Sequence, residues 1–166
     1  MLITAEDIQA RIHELGTQIT KDYKDKNLVI IAVLTGGIIF TADLIRCIDL
    51  QLRLDTIRAK SKSDGAVILS GHANLLHVRD QHVLVVEDIA DTGITIKEVT
   101  KALLQYNPAS IQVATLLLKP KKFRGQRPAY VGFDIEDKYV YGYGMDLDQY
   151  KRNSPYIKAV SENMVK

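Results

Sequence analysis

The sequence predicts an α/β fold with a central, mostly parallel sheet flanked by helices. Two apolar runs, at residues 28–34 and 83–86, are unbroken and rich in β-branched residues, as expected of strands that are buried on both faces. Each run leads into a turn that contains glycine, and apolar residues then recur at helical spacing. This repeated order of strand, turn and helix is typical of a parallel sheet covered by helices.

A first helix is predicted to begin after Thr4, because Thr4 and Asp7 form a capping box in which aspartate replaces glutamate. The apolar residues that follow at helical spacing are Ile8, Ile12, Leu15 and Ile19. The strand at 28–34 then runs into Thr35-Gly36-Gly37. Paired glycines at such a junction either bring the backbone close to a ligand or allow a tight turn, and the sequence leaves both open.

The segment after the second helix is less regular. Residues 52–56 alternate between apolar and polar side chains, which predicts a half-exposed strand. Residues 58–65 are polar and basic without periodicity, so we expect a flexible loop at about 58–70 that contains Ser61. This loop is either a lid over a site or a plain surface hairpin with 67–69 as its return strand.

The second half of the chain continues the same pattern. Apolar residues after Thr95 predict a helix, and residues 111–118 predict a strand that ends at Lys119. Residues 139–144 are rich in tyrosine and glycine, and they serve either as packing between strands or as a wall on which a flat ligand stacks. From residue 155 onward we expect a C-terminal helix or tail.

The composition narrows the class of protein. The 166 residues suit one domain, and the net charge of +2 is too small to argue for nucleic acid as a partner. No apolar run approaches the roughly 20 residues that cross a membrane, and the N-terminus has no secretory pattern. The single cysteine, Cys47, fits a reducing compartment. We therefore expect a cytoplasmic protein with no membrane partner.

Residues that carry chemistry cluster where the predicted strands end. Because the carboxyl ends of parallel strands meet at one edge of a sheet, we expect Thr35-Gly36-Gly37, Glu87-Asp88 and Lys119 to converge. The Thr-Gly-x-Thr turn at 92–95 opens a helix, whose N–H groups and dipole favour a phosphate. Carboxylates beside an anion site suggest Mg²⁺, which binds through one or two carboxylates together with substrate oxygens.

Residues 83–96 resemble the phosphoribosyl diphosphate signature of the type I phosphoribosyltransferases. The remainder resembles the hypoxanthine-guanine phosphoribosyltransferases over nearly its whole length, with further matches at 34–37, 57–61, 116–120 and 131–152. The resemblance implies a type I phosphoribosyltransferase fold, in which a small hood formed from the N- and C-terminal segments covers the sheet. The single domain would span residues 1–166, with a core at about 20–130 and a hood from about 1–15 and 131–166.

The resemblance also implies a reaction, in which a purine base and phosphoribosyl diphosphate give a nucleoside monophosphate and diphosphate, with Mg²⁺ as cofactor. In this assignment Asp91 lies beside the purine N7 as its acid or base, and Glu87 and Asp88 hold the ribose hydroxyls and help to place Mg²⁺. Thr92, Gly93 and Thr95 would hold the 5′-phosphate. The implied nucleotide-binding stretch as a whole is Glu87, Asp88, Ile89, Ala90, Asp91, Thr92, Gly93, Ile94 and Thr95.

The remaining implied contacts concern the diphosphate and the base. Thr35 and Gly36 would contact diphosphate through their backbone, and Arg152 would touch the same leaving group. Lys119 would donate to the 6-oxo group, Tyr139 would stack on the ring, and Val140 would recognise its edge through the backbone. Asp146 would hold a second Mg²⁺ by the diphosphate. The implied purine side is formed by Lys119, Tyr139, Val140, Met145 and Asp146.

The sequence departs from the family pattern at three positions. Lys62 follows Ser61 where the family loop usually carries tyrosine, and Thr35 and Ile94 stand where some members carry lysine. Hypoxanthine, guanine and xanthine all stay open as the base. A homodimer or homotetramer is implied by the family. The alternative function is that of a regulatory protein of the same fold that senses nucleotides and binds nucleic acid, which the basic run at 119–127 suggests.

Overall fold

The computed structural model describes residues 2–61, 67–71 and 75–160. Its centre is a six-stranded sheet, whose strands in chain order are β1 (Leu28–Leu34), β2 (Leu52–Ser61), β3 (Val67–Ser70), β4 (His82–Ala90), β5 (Ser110–Leu118) and β6 (Tyr130–Asp134). The order across the sheet is β3-β2-β1-β4-β5-β6, and every neighbouring pair is parallel except β2 with β3. The predicted mostly parallel sheet is therefore confirmed.

Helices cover this sheet as the sequence predicts. The α-helices of the described chain are α1 (Ala5–Asp22), α2 (Ile38–Arg46) and α3 (Ile94–Leu104), and a short 3-10 helix spans Leu75–Val78. The capping box at the start of α1 forms, since the Thr4 hydroxyl accepts a hydrogen bond from the Asp7 backbone N–H at 3.1 Å. No helix among the described residues is long and apolar enough to cross a membrane.

Both faces of the central strands are buried, which explains their unbroken apolar sequence. On one face, Ile30 and Leu84 lie in a cluster with the apolar side chains of α1 and α2. On the other face, Ile31 and Val85 pack with Val99 of α3. Because side chains alternate along a strand, β1 and β4 each contribute to both clusters. Packing on the two faces therefore holds these strands side by side.

The two ends of the described chain meet beyond the sheet. Ile3 and Ile157 exchange backbone hydrogen bonds of 3.1 and 3.0 Å. A second, two-stranded sheet forms nearby from β7 (Val140–Tyr141) and β8 (Lys158–Ala159). These are the terminal segments from which the hood was expected, although its boundaries and those of the core stay predictions. The chain from Tyr139 to Asp146 is thereby held over the sheet edge.

The structure describes two segments for which the sequence left alternatives open. Of the lid and the surface hairpin considered for residues 58–70, the hairpin is present: Arg58 to Ser61 belongs to β2 and pairs antiparallel with β3, the expected return strand. The residues between the two arms lie outside the described part. At the C-terminus, residues 155–160 contain the short strand β8 and no helix. Both segments lie at sheet edges, where few side chains are buried and no apolar period marks the strand.

Candidate active site

The strand ends that carry the predicted site residues are neighbours in the sheet. β1, β4 and β5 lie side by side and run in the same direction, so Thr35, Asp91 and Lys119 follow their carboxyl ends at one edge. The Lys119 backbone N–H donates to the Ala90 carbonyl at 3.0 Å, which ties the ends of β4 and β5 together. The predicted convergence is therefore present in the fold.

Glu87 and Asp88 are buried at the end of β4, with relative exposures of 6% and 9%. Burial raises the pKa of Asp88, and it raises the pKa of Glu87 well above its usual range, where the adjacent Asp88 charge adds to the effect. Asp88 Oδ1 accepts a hydrogen bond of 2.9 Å from the Ile89 backbone N–H, whereas Glu87 Oε2 has no hydrogen-bond partner among the described residues. A buried carboxylate oxygen without a donor can accept a hydrogen bond from a substrate hydroxyl or bind a cation.

The glycine turn after β1 is pressed against this acidic pair. A Cβ atom on Gly36 would lie 1.8 Å from Asp88 Oδ2, and one on Gly144 would lie 2.2 Å from the Gly36 carbonyl oxygen. The peptide bond between Leu34 and Thr35 is cis. The paired glycines thus permit close approach, and the neighbour that the structure shows at Gly36 is the Asp88 carboxylate.

Asp91 stands in a cluster of two lysines and a second aspartate. Lys119 Nζ donates to Asp91 Oδ2 at 3.3 Å and to Asp137 Oδ1 at 3.0 Å. Lys122 Nζ lies 3.0 Å from Asp91 Oδ1 and 3.6 Å from Asp137 Oδ1. The hydrogen bond to Asp91 raises the pKa of Lys122, and the hydrogen bond from Lys119 lowers the pKa of Asp137. The raised pKa of Lys122 and the lowered pKa of Asp137 both favour the charged forms of these two side chains.

The Thr-Gly-x-Thr turn forms the start of α3. Gly93 is the N-cap residue with φ +91°, a left-handed conformation, and it offers no side chain to cap the first helical turn. The Thr92 hydroxyl accepts a hydrogen bond from the Ile94 N–H at 3.4 Å. The N–H groups of the first turn at Ile94 and Thr95 therefore face the helix N-terminus, where an anion is favoured.

A cavity of about 160 Å³ joins most of the residues implied on the purine side. Tyr139 lies at its exposed mouth with 59% relative exposure, while Val140 and Met145 are buried in its wall. The residues that line the cavity are Asp88, Ile89, Asp91, Lys119, Tyr139, Val140, Met145 and Asp146. All five purine-side residues are thus brought together with Asp91. The lining residues come from three separate parts of the chain, at 88–91, 119 and 139–146.

A second cavity, of about 540 Å³, contains Thr35 and Arg152. Two further cations, Arg58 and Lys60 of β2, line it as well. Arg152 donates to the Gly144 carbonyl at 2.8 Å and pairs with Asp146 Oδ1 at 2.8 Å. Three basic side chains around one hollow are suited to a polyanion. The Ser61 side chain and Lys62 lie outside the described residues.

Glu87, Asp88 and Asp146 are the residues that the sequence suggested for metal. Within the described ranges, no three His, Cys, Asp or Glu side chains come close enough to form a ready-made metal site. Glu87 and Asp88 nevertheless offer hard oxygen donors, and Glu87 Oε2 lacks a partner in the described chain. This donor set fits Mg²⁺, which takes most of its ligands from substrate and water.

Sequence reasoning did not identify Arg58, Lys60, Lys122 or Asp137 as site residues. The basic composition of 58–62 gave a signal for the first two, but we assigned it to a loop. Lys122 lay in a charged run that is typical of a solvated surface. Asp137 gave no signal, because only the folded chain brings it to Lys119.

Comparison with known proteins finds similar sequences and structures over nearly the whole chain. The family model described as "Phosphoribosyl transferase domain" matches residues 3–149. A hypoxanthine phosphoribosyltransferase of Haemophilus influenzae is 39% identical, covering 96% of this chain and 94% of that protein. A hypoxanthine-guanine-xanthine phosphoribosyltransferase of Tritrichomonas foetus is 40% identical, with coverages of 99% and 92%. A crystal structure of a Staphylococcus aureus hypoxanthine phosphoribosyltransferase superposes with a TM-score of 0.91 at 38% identity, covering 98% of this chain and 93% of that one.

Proposed function

The chain belongs to the phosphoribosyltransferase family, and we propose that it transfers the 5-phosphoribosyl group from phosphoribosyl diphosphate to hypoxanthine or guanine. The products are IMP or GMP and diphosphate, so the activity is one of purine salvage. The observation that carries this proposal is the 160 Å³ cavity, in which the Lys119 ammonium and the Asp91 carboxylate face one another at 3.3 Å.

The paired charges of Lys119 and Asp91 suit one edge of a 6-oxopurine. The 6-oxo group and N7 are adjacent on that edge. Lys119 can only donate hydrogen bonds, so it matches the 6-oxo acceptor and opposes the 6-amino donor of adenine. Asp91 is then positioned at N7. Tyr139 at the mouth stacks on the ring, and the backbone near Val140 and Met145 meets the opposite edge.

Phosphoribosyl diphosphate binds beside the base, along the edge of the sheet formed by the carboxyl ends of the strands. Its 5′-phosphate occupies the N-terminus of α3, where Thr92, Gly93 and Thr95 supply hydroxyl and N–H donors. Glu87 and Asp88 accept the ribose hydroxyls. The diphosphate points into the larger cavity beside Thr35, Gly36 and Arg152. Arg58 and Lys60 extend this basic surface.

Mg²⁺ fits the same arrangement. Glu87 and Asp88 would help to hold one ion with the ribose and diphosphate oxygens, and Asp146 would serve a second ion. When bound, the metal neutralises charge on the diphosphate as it leaves. In the described structure Asp146 is paired with Arg152, so a second ion held by Asp146 would compete with Arg152 for this carboxylate.

In the proposed reaction, the bond from C1′ of the ribose to the diphosphate oxygen breaks and a bond from the purine N9 to C1′ forms. In the transition state the ribose ring carries positive charge, which the fixed carboxylates of Glu87 and Asp88 stabilise. As N9 bonds, the proton on N7 passes to Asp91, which acts as the base. Lys119 fixes the ring through its 6-oxo group, so that N9 faces C1′.

The regulatory alternative is not favoured. It relied on the basic run at 119–127, but Lys119 and Lys122 are paired with carboxylates and Arg127 is paired with Asp134 at 2.8 Å. Three of the five basic residues in this run are therefore paired with carboxylates, which leaves less positive charge to attract nucleic acid.

The experiment that separates the two functions uses one protein preparation for two assays. The first follows IMP formation from hypoxanthine, phosphoribosyl diphosphate and Mg²⁺, and the second follows the mobility of a mixed RNA pool at low and moderate salt. We expect transferase activity and no salt-sensitive RNA shift. A salt-sensitive RNA shift without IMP formation would contradict the transferase function and support the regulatory one.

The assembly and location of the protein are further parts of the proposal. We propose a homodimer or homotetramer in the cytoplasm, as the resemblance of the sequence to this family implies. The exposed side chains of Ile38 and Ile39, at 47% and 39% relative exposure beside the glycine turn, are consistent with a subunit contact. Sedimentation equilibrium would distinguish monomer, dimer and tetramer.

A further inference from the structure

Asp137 makes the closer of the two carboxylate contacts to Lys119. Its Oδ1 accepts a hydrogen bond from Lys119 Nζ at 3.0 Å, whereas the contact to Asp91 measures 3.3 Å. The Lys119 side chain is only 6% exposed, while that of Asp137 is 51% exposed. A buried ammonium requires nearby partners for its charge, and here both partners are aspartates.

The two aspartates differ in their relation to the cavity. Asp91 lines the cavity together with Lys119, but Asp137 is not among the residues that form its wall. Asp137 therefore approaches the ammonium from outside the space that a base would fill. It can keep its hydrogen bond when the cavity is occupied, because no ligand needs to pass between Asp137 and Lys119.

The contact between Lys119 and Asp91, in contrast, changes when the base binds. If a 6-oxopurine binds as proposed, Asp91 turns to N7 and Lys119 to the 6-oxo group, so the direct contact between the two side chains weakens. A lysine ammonium has three N–H donors. One serves the base and one serves Asp137, which then supplies the main negative charge beside Lys119.

We propose that Asp137 is a positioning residue that aims Lys119 at the 6-oxo group of the base and releases Asp91 for the purine N7. This proposal rests on the proposed function and on the role of Lys119 within it. Without the Asp137 carboxylate, Lys119 and Lys122 share Asp91 as their remaining anionic partner. The base must then compete with a tighter Lys119–Asp91 pair before it can bind.

The test compares Asp137→Asn with Asp134→Asn, a matched control. Asp134 lies three residues away and is also an exposed carboxylate in an ion pair, but its partner is Arg127 and it does not touch Lys119. For Asp137→Asn we expect the KM for hypoxanthine to rise about 5- to 10-fold, the size of an ordinary net hydrogen-bond contribution, because Asp137 acts on the base only through Lys119. We expect kcat to stay within about twofold, and the KM for phosphoribosyl diphosphate to stay unchanged.

Two further arms separate positioning from a general structural effect. Asp137→Glu retains the carboxylate and should recover most of the affinity for hypoxanthine, whereas Asp137→Ser should behave like Asp137→Asn. Binding of IMP and of a nucleotide that lacks the 6-oxo group, measured by calorimetry without turnover, should show a loss for IMP alone. Asp134→Asn should match the wild type throughout.

The outcomes distinguish this inference from the proposed function. If the wild type forms no IMP, the proposed function fails. If the wild type is active and Asp137→Asn and Asp137→Ser leave the KM for hypoxanthine and IMP binding unchanged, the positioning role alone is overturned. An equal loss of affinity for nucleotides with and without the 6-oxo group would also overturn it.

Discussion

Lys119 Nζ lies 3.3 Å from Asp91 Oδ2 across the smaller cavity. The donor proposed for the 6-oxo group and the carboxylate proposed for N7 are thus already paired before a base binds. Their spacing suits two adjacent atoms of a purine edge. In the proposed reaction, base binding exchanges this ion pair for two contacts with the ligand, and the predictions for Asp91 and Lys119 depend on that exchange.

Replacement of Asp91 by asparagine removes the group proposed to take the N7 proton. We expect kcat with hypoxanthine to fall about 10²- to 10⁴-fold, the usual contribution of a positioned acid or base. Circular dichroism should be unchanged, because Asp91 lies at the end of β4 and outside the apolar clusters. A rate near that of the wild type would remove Asp91 from the mechanism.

Replacement of Lys119 by methionine keeps much of the side-chain volume and removes the donor. We expect kcat/KM for hypoxanthine to fall about 10- to 100-fold, since a hydrogen bond from a charged group is lost. Lys121→Met is the control, because Lys121 is an exposed lysine of the same run. Equal effects of the two variants in steady-state kinetics would show that Lys119 does not contact the base.

Glu87 carries a stability cost that can be measured without metal. Burial raises its pKa, so between its unfolded and folded pKa values the folded state holds more protons than the unfolded state. The free energy of unfolding therefore falls as pH rises through this window. Glu87→Gln removes this buried titratable group and its cost, so in chelator we expect a higher Tm at neutral pH and a weaker decline of stability with pH.

Two results bear on the Glu87 prediction. Loss of transferase activity together with the raised Tm would mark Glu87 as a residue kept for function at the expense of stability. A Tm below that of the wild type at neutral pH would contradict the unfavourable burial of this carboxylate.

The close contact between Gly36 and Asp88 predicts a specific defect. An alanine at position 36 would place Cβ 1.8 Å from Asp88 Oδ2, so the turn or the carboxylate must move. We expect the KM for phosphoribosyl diphosphate to rise at least about tenfold, since both groups face that substrate. Gly71→Ala provides a comparison, because Gly71 has φ +77° and no heavy atom of the described residues lies within 4 Å of its Cβ position. It should cost stability of about 1–3 kcal/mol without changing KM.

Much of the fold followed from local sequence. Thr4 with Asp7 marked the first residue of α1, and the apolar run of β1 gave the bounds that the structure shows. These features depend on nearby residues and on burial from both faces. For Arg58 to Ser61 the sequence left a lid and a hairpin open, because this arm pairs at the sheet edge with a short strand and has no buried face to impose a period.

The site was predictable where one continuous stretch carries it, as from Glu87 to Thr95. It was not predictable where distant residues meet. Asp137 and Lys122 are 18 and 31 residues from their partners Lys119 and Asp91, respectively. Such contacts are set by how β5 and the segment after β6 end, which no local pattern records.

The most direct test of Lys119 as the donor to the 6-oxo group is the ratio of kcat/KM for hypoxanthine to that for adenine, with phosphoribosyl diphosphate and Mg²⁺ in one preparation. A lysine that donates to the 6-oxo group opposes the 6-amino group, so we expect a ratio above about 100 in favour of hypoxanthine. A ratio near one, or a preference for adenine, would contradict it.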